Sequence, residues 1–258
     1  MKILISNDDG IDAIGIYELT KALSEVAEVY VCAPHSQRSA ASHSISFRDP
    51  IRVTRTEFDN AAMALVTTGT PADCVKLGLK VLSDIGIEMD MVFSGINLGG
   101  NMGTDTLYSG TVAAAIEGSV CGKPSVAVSV DSHNATCFEY ACMLAVKCAQ
   151  NAYGRLKAGT VLNINVPDMP ADKIKGTRIT TIGKRDYEPW FVLESGEEHN
   201  PDNIDLCYRY GGEPIKYDME DENADVAAVA EGYASITPLM HDFTAKDMIE
   251  EIKKWRLV

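Results

Sequence analysis

The chain has 258 residues, 46% hydrophobic and 23% charged, which suits one large α/β domain or a core with an appendage and excludes a disordered polymer. Its 23 basic and 37 acidic residues leave a net charge of −14. That opposes binding to polymeric nucleic acid, yet leaves room for a small phosphorylated substrate if a cation inverts the local sign. No apolar run approaches the ~18 residues of a membrane span, and the N-terminal run is too short for a secretory leader. The seven cysteines are odd in number and hold no C-x-x-C pair, so they read as reduced thiols of a cytoplasmic protein.

In chain order, Lys2 to Ser6 is a near-continuous apolar run, the mark of a buried parallel strand. A polar turn follows from Asn7 to Gly10, and Ile16, Leu19 and Leu23 then recur at helical spacing. Glu28 to Ala33 reads as a second strand closed by Pro34, which completes the β-α-β opening of a doubly wound sheet. Residues 35–58 are rich in Ser and Ala, then alternate at Ile45-Ser46-Phe47 and Ile51-Arg52-Val53-Thr54. That pattern predicts a loop and a hairpin leaving the core.

Thr70-Pro71 starts a helix that runs to about Leu82. Met89 to Ser94 is a buried strand, followed by a glycine-rich loop from Gly95 to Gly110. A helix over Thr111 to Cys121, a strand over Ser125 to Val130, a helix over Phe138 to Tyr153 and a strand over Val161 to Val166 complete the alternation. Beyond Pro167 it breaks down. Strands are predicted over Thr177 to Ile182, Ile204 to Tyr210 and Tyr233 to Thr237, with an acidic run from Asp218 to Asp225 and a final helix near Ala245 to Trp255. The expected organisation is a single α/β domain over 1–258, with a Rossmann-like three-layer core over about 1–167. A protruding β-hairpin and a C-terminal arm or subdomain over about 168–258 would serve oligomer contacts.

Three polar clusters follow predicted strands, and in an open parallel sheet such positions converge on one crevice. The first is Asn7-Asp8-Asp9-Gly10: two adjacent carboxylates repel unless water or a hard cation offsets them. A capped turn, with Asp9 at the helix start and Asp8 in an Asx-turn, explains the pair equally well. The second, Ser36 to Ser42, holds Arg38, Ser39 and Ser42; a hydroxyl can bind a metal and a guanidinium can meet phosphate, but most serine-rich loops are only loops. The third runs from Ser94 to Gly103 and on to Tyr108-Ser109-Gly110-Thr111. Its glycines allow close backbone approach, Asn97 and Asn101 supply amides, and Ser109-Gly110-Thr111 opens a helix whose N-terminus suits an anion. Ordinary capping of a structural loop is the alternative there.

No G-x-G-x-x-G is present, which counts against a dinucleotide enzyme. Gly118 to Ser125 resembles a P-loop only superficially, since Pro124 follows the lysine. The Asp-x-Asp of haloacid-dehalogenase phosphatases is absent, because the two aspartates are adjacent.

The strings I-L-I-S-N-D-D-G-I-D-A-I-G-I, A-P-H-S-Q-R-S-A-A-S-H-S-I, T-G-T-P-A-D-C-V, S-G-I-N-L-G-G-N-M-G and Y-S-G-T-V-A-A-A-I-E-G, in this order, resemble the SurE (survival protein E) family of 5′/3′-nucleotidases. The resemblance is dense over 1–130 and looser beyond. It implies one divalent metal ion per subunit, Mg²⁺ or Mn²⁺, held by Asp8, Asp9, Ser39 and Asn97. It also implies a phosphate site from Asn101, Ser109, Gly110 and Thr111. The implied reaction releases phosphate from nucleoside monophosphates, with short polyphosphate as a further substrate of some relatives. Assembly as a homodimer or homotetramer is implied, through the hairpin and an exchanged C-terminal arm, without contact to membrane or nucleic acid. Attack by water deprotonated at Asp8 is the first reading and direct attack by Asp8 the rival; His43 and His133 are candidates for the leaving-group acid. A non-catalytic nucleotide or metal sensor would present a similar crevice.

Overall fold

A computed structural model describes residues 1–38, 40–196, 204–211, 213–214 and 221–255. Ser39 and Asp218 to Glu220 lie outside the described residues.

The strands and helices alternate as β1 (Lys2–Ser6), α1 (Ile14–Ser24), β2 (Glu28–Pro34), β3 (Val53–Thr56), β4 (Met63–Thr67), α2 (Pro71–Asp84), β5 (Met91–Leu98), α3 (Gly110–Val120), β6 (Ser125–Val130), α4 (Glu139–Ala152) and β7 (Thr160–Val166). Then come β8 (Thr177–Ile179), β9 (Tyr187–Glu188), β10 (Phe191–Ser195), β11 (Cys207–Tyr210), β12 (Glu213–Pro214), α5 (Asp225–Ala230), β13 (Ala234–Met240) and α6 (Lys246–Lys254).

One nine-stranded sheet has the order β3-β4-β2-β1-β5-β6-β7-β13-β8. The run from β4 to β7 is parallel throughout; β3 joins antiparallel at one edge and β13 pairs antiparallel with β7 at the other. Period-two alternation splits each central strand between two cores. Ile3, Ile5, Val29, Val31, Phe93, Val126 and Val128 pack with α1 (Ile16, Leu19, Leu23) and α4 (Leu144, Ala145, Ala149). Leu4, Tyr30, Cys32 and Val92 pack on the opposite face with Cys74, Val75, Leu82 and Ala114 from α2 and α3. Burial on both faces is why these strands read as unbroken apolar runs. The structure is thus the α/β, mostly parallel, three-layer sheet expected from the sequence.

Chain order reverses at β1, which lies between β2 and β5. That reversal makes the crevice outside the carboxyl ends of β1 and β5 the binding position of an open sheet.

The structure departs from the sequence reading in three places. Ile45 to Phe47 is not a strand; Ser46 donates its N–H to Asp73 Oδ2 at 3.0 Å and Ser44 accepts from Thr70 Oγ1 at 2.7 Å, so the capping residues of α2 hold this segment. The hairpin of this region is β3–β4, and it extends the central sheet instead of leaving it. β5 continues to Leu98, four residues past the predicted end at Ser94, which carries Asn97 on the strand itself. Beyond Pro167, β13 and β8 also join the main sheet, while β9–β12 and β10–β11 form two small ribbons.

Candidate active site

Asp8 lies two residues past the end of β1 and is almost fully buried at 6% exposure. Its Oδ1 accepts a hydrogen bond from Thr111 Oγ1 at 2.5 Å. Burial pushes the Asp8 carboxyl up to about 6; the Thr111 hydroxyl opposes this and the neighbouring Asp9 charge adds to it. Asp9 accepts from Gln37 Nε2 at 3.3 Å and from the Leu98 N–H at 3.4 Å. Its carboxyl is also raised, by burial, with the Leu98 amide, Gln37 and His133 pulling the other way. Asn7 bridges the turn: its Nδ2 donates to Gly10 O at 2.8 Å and its Oδ1 accepts from Gly10 N–H at 3.3 Å. Gly10 sits at φ +102°, in the region glycine enters freely.

The crevice wall opposite Asp8 is the start of α3. Ser109 caps that helix by accepting from Val112 N–H at 3.1 Å, so its hydroxyl organises the terminus. A Cβ on Gly110 would lie 2.8 Å from Asp8 Cβ and 2.8 Å from its Oδ2, so only glycine lets the helix start touch the acidic pair. Thr111 is fully buried. The serine loop closes a third side: Arg38 N–H donates to Asp8 O at 2.7 Å and Ser42 N–H to Tyr108 O at 3.1 Å.

Asn97 lies at the end of β5 and donates its Nδ2 to Gly99 O at 2.7 Å. Asn101 is buried; its N–H donates to Asn165 Oδ1 at 2.7 Å and its Nδ2 to Ser129 Oγ at 2.9 Å, while its carbonyl accepts from Asn163 Nδ2 at 2.8 Å. The side-chain amide of Asn101 therefore fastens the glycine loop to β6, and its backbone N–H and carbonyl fasten it to β7. The structure thus brings Asp8, Asp9, Gly110 and Thr111 together, sets Asn97 beside them and anchors Asn101 behind them.

His43 does not face the acidic pair: its Nε2 meets Glu117 Oε2 at 2.8 Å, and Lys76 Nζ meets Glu117 Oε1 at 2.8 Å. Burial raises the Glu117 carboxyl, but Lys76 and His43 more than offset it and hold it low. His133 is on the crevice side, close enough that a Cβ on Gly99 would lie 2.8 Å from its Cε1.

Several site residues escaped the sequence reading. Gln37 carried no signal apart from its neighbours. Asn163 and Asn165 did carry one: two amides at period two inside an apolar strand share a face and demand partners. Asp225, fully buried at the start of α5, accepts from Gly103 N–H at 3.1 Å, Gly183 N–H at 2.9 Å and Val226 N–H at 2.8 Å. Burial raises its carboxyl, and those amides offset part of the shift. Asp225→Ala should cost about 2 kcal/mol, because the buried amides then lose their acceptor. Urea denaturation measures it, and a loss under about 0.5 kcal/mol would mean the turn at Gly103 holds without the carboxylate.

Fold and site together define a doubly wound α/β protein in which an acidic pair meets a helix N-terminus at the switch point of the sheet. The family model described as survival protein SurE matches residues 3–189, and the chain belongs to that family. A 5′-nucleotidase SurE of Syntrophomonas wolfei is 42% identical over 256 residues, covering 98% of this chain and 94% of the relative. One from Pelotomaculum thermopropionicum is 44% identical, covering 98% and 95%. The crystal structure of the SurE protein from Aquifex aeolicus matches with a TM-score of 0.82 at 33% identity, covering 99% of both chains.

Proposed function

We propose that this chain is a divalent-metal-dependent phosphomonoesterase that hydrolyses nucleoside 5′- and 3′-monophosphates to nucleoside and phosphate, and that it extends to short polyphosphate. The observation that carries this reading is the contact between Asp8 and the N-terminus of α3, the Thr111 hydroxyl lying 2.5 Å from Asp8 Oδ1. It unites a cation-seeking carboxylate with an anion-seeking helix end. The 5′-nucleotidase names of the relatives support the substrate class.

The donors fit one hard cation per subunit, Mg²⁺ or Mn²⁺. Asp8, Asp9, Asn97 and Ser39 offer oxygen only, and burial raises both carboxyls, a charge problem that a cation would relieve. Among the described residues no group of three or more His, Cys, Asp or Glu side chains could hold a metal; in this proposal the amide oxygen of Asn97 and the hydroxyl of Ser39 would join the two carboxylates. Such an ion, when bound, neutralises phosphate charge and polarises the ester.

The remaining roles belong to the chain. Gly110 and Thr111 present the start of α3 to the non-bridging oxygens, with Ser109 as its cap and Asn101 fixing the loop before it. Asp8 takes the proton of the attacking water, or attacks phosphorus itself. The configuration at phosphorus separates these: one displacement by water inverts it and two displacements through an aspartyl-phosphate retain it, so net retention with an isotopically chiral phosphate ester would sink the water route.

EDTA should abolish phosphate release from AMP, and Mg²⁺ or Mn²⁺ should restore it. Release that survives chelation would refute the metal; AMP binding without release in the presence of metal would leave a sensor instead of an enzyme. The exposed Met248, Ile249 and Ile252 of α6, with Trp255 at its C-terminal cap, support assembly as a homodimer or homotetramer, readable by light scattering. The seven unpaired thiols support a cytoplasmic setting. No described helix is long and apolar enough to cross a membrane.

A further inference from the structure

The crevice accounts for a phosphate and a cation but not for a nucleoside. Beside it stands a group of aromatic rings that no step above uses. Tyr108 immediately precedes the cap of α3 and is 54% exposed. The ribbon of β9 and β12 is tied to the same turn, just before β10 in the chain: Tyr187 OH donates to Asp105 Oδ2 at 2.5 Å, and Arg185 Nε lies 3.3 Å from that oxygen. From Tyr187 the rings run on in contact. Trp190 is 6.0 Å from Tyr187 and 6.1 Å from Tyr210, and Phe191 is 5.7 Å from Tyr210 at 83°, all between centroids. Trp190 and Tyr210 are nevertheless 41% and 56% exposed. Partial burial, then the charges of Asp105 and Tyr108, hold the Tyr210 hydroxyl above its usual range, which sets Tyr210 beside the turn that opens α3.

We propose that Tyr108, Tyr210 and Trp190 form the platform on which the nucleobase of a mononucleotide stacks while its phosphate sits at Ser109 to Thr111. This deepens the phosphatase reading and rests on it. Three features favour a base over another occupant. Tyr108 directly precedes Ser109, and Trp190 and Tyr210 reach the same turn through Tyr187, whose hydroxyl bonds Asp105, as a nucleoside bonded to that phosphate requires. Ring contacts brace Trp190 (to Tyr187 and Tyr210) and Tyr210 (to Trp190 and Phe191), so little ordering of these two is needed on binding. The nearest charged groups, Asp105 and Arg185, are already paired with each other, so the platform offers π-faces more than base-edge readout. Every base has a π-face, and stacking tolerates all of them. The inferred enzyme therefore discriminates weakly among bases, yet clearly between nucleotides and phosphate esters that lack a base.

Ribose 5-phosphate keeps the sugar and ester but has no base, and it is the probe. With Tyr210→Ala and Trp190→Ala, kcat/KM for AMP, GMP and UMP should fall by ten-fold or more, chiefly through KM. The fall for ribose 5-phosphate should be far smaller, and Tyr210→Phe should retain most of the AMP activity. AMP should quench Trp190 fluorescence, read in a Trp255→Phe background, and ribose 5-phosphate should not. An equal loss for both substrates, or unchanged KM for AMP together with an altered oligomeric state, would overturn the platform and assign these rings to packing between copies. AMP quenching without phosphate release would overturn the phosphatase reading and leave the platform standing. Turnover of AMP and ribose 5-phosphate with equal KM and no quenching would do the reverse.

Discussion

Asp8→Asn is expected to lower turnover of AMP by about 10³-fold or more while making the metal-free protein more stable. The loss follows from the double duty assigned to Asp8: removing a cation ligand and proton acceptor forfeits several kcal/mol of transition-state stabilisation, and about 4 kcal/mol is 10³ in rate. The gain follows from burial. In the metal-free fold the Asp8 carboxyl stands at about 6 against 3.8 unperturbed. The folded state then holds the more protons between those values, so stability is highest below pH 3.8, declines as pH rises toward 6 and stays reduced above it. Two pKa units correspond to about 3 kcal/mol. An asparagine carries no charge to desolvate, and its Oδ1 can still accept from Thr111. Urea melts in EDTA should therefore show the variant's advantage small at pH 4 and growing to about 2 kcal/mol by pH 7.5. A variant less stable than wild type at pH 7.5 would refute the burial account. Near-normal turnover with metal bound would refute the assignment of Asp8.

Apart from β4 and the misplaced strand at Ile45 to Phe47, the order of strands and helices through β7 is legible in the sequence because two-sided burial writes long apolar runs, and because Thr70-Pro71 and Ser109-Gly110 are helix starts with a mechanism. Asp8 and Asp9 stand out because polar residues just past a buried parallel strand face the crevice, Asn97 because it is an amide at the end of an apolar run, and Ser109 to Thr111 because they open a helix. What stays hidden is tertiary. β4, Met63–Thr67, is a short run whose strand character comes from pairing with β2 and β3, and the alternation at Ile45 to Phe47 is a side effect of a loop fastened to Thr70 and Asp73. The Asp225 carboxylate reaches Gly103 across 122 positions, a distance at which spacing carries no information. The Thr111 hydroxyl is instructive, since its place at the helix start suggests a phosphate contact while the fold aims it at Asp8. A residue's element was readable; the partner of its last atom was not.

Gly110→Ala separates the position of Asp8 from its chemistry. Alanine is the better helix former, by about 1 kcal/mol in a helix interior, and by that measure alone the variant should be more stable. The added Cβ, however, would lie 2.8 Å from both Asp8 Cβ and Asp8 Oδ2, closer than real Cβ contacts allow. Asp8 Cβ is fixed to the tip of β1 and Gly110 begins a packed helix, so relief must come from moving the carboxylate, the turn at Asn7 to Gly10 or the start of α3. Each of these changes the distance between the proposed cation ligands and the amides proposed to bind phosphate. A displacement of about 1 Å at such a site costs about 10²-fold in rate, so kcat/KM for AMP and for ribose 5-phosphate should fall together by that factor. The helix gain should offset much of the strain and keep Tm within a few degrees of wild type. The joint fall distinguishes this variant from one in the aromatic platform, where the substrate with a base suffers more. Full activity would mean that Asp8 and the start of α3 need not be in contact for the reaction, and with that the observation on which the proposed function rests would lose its force.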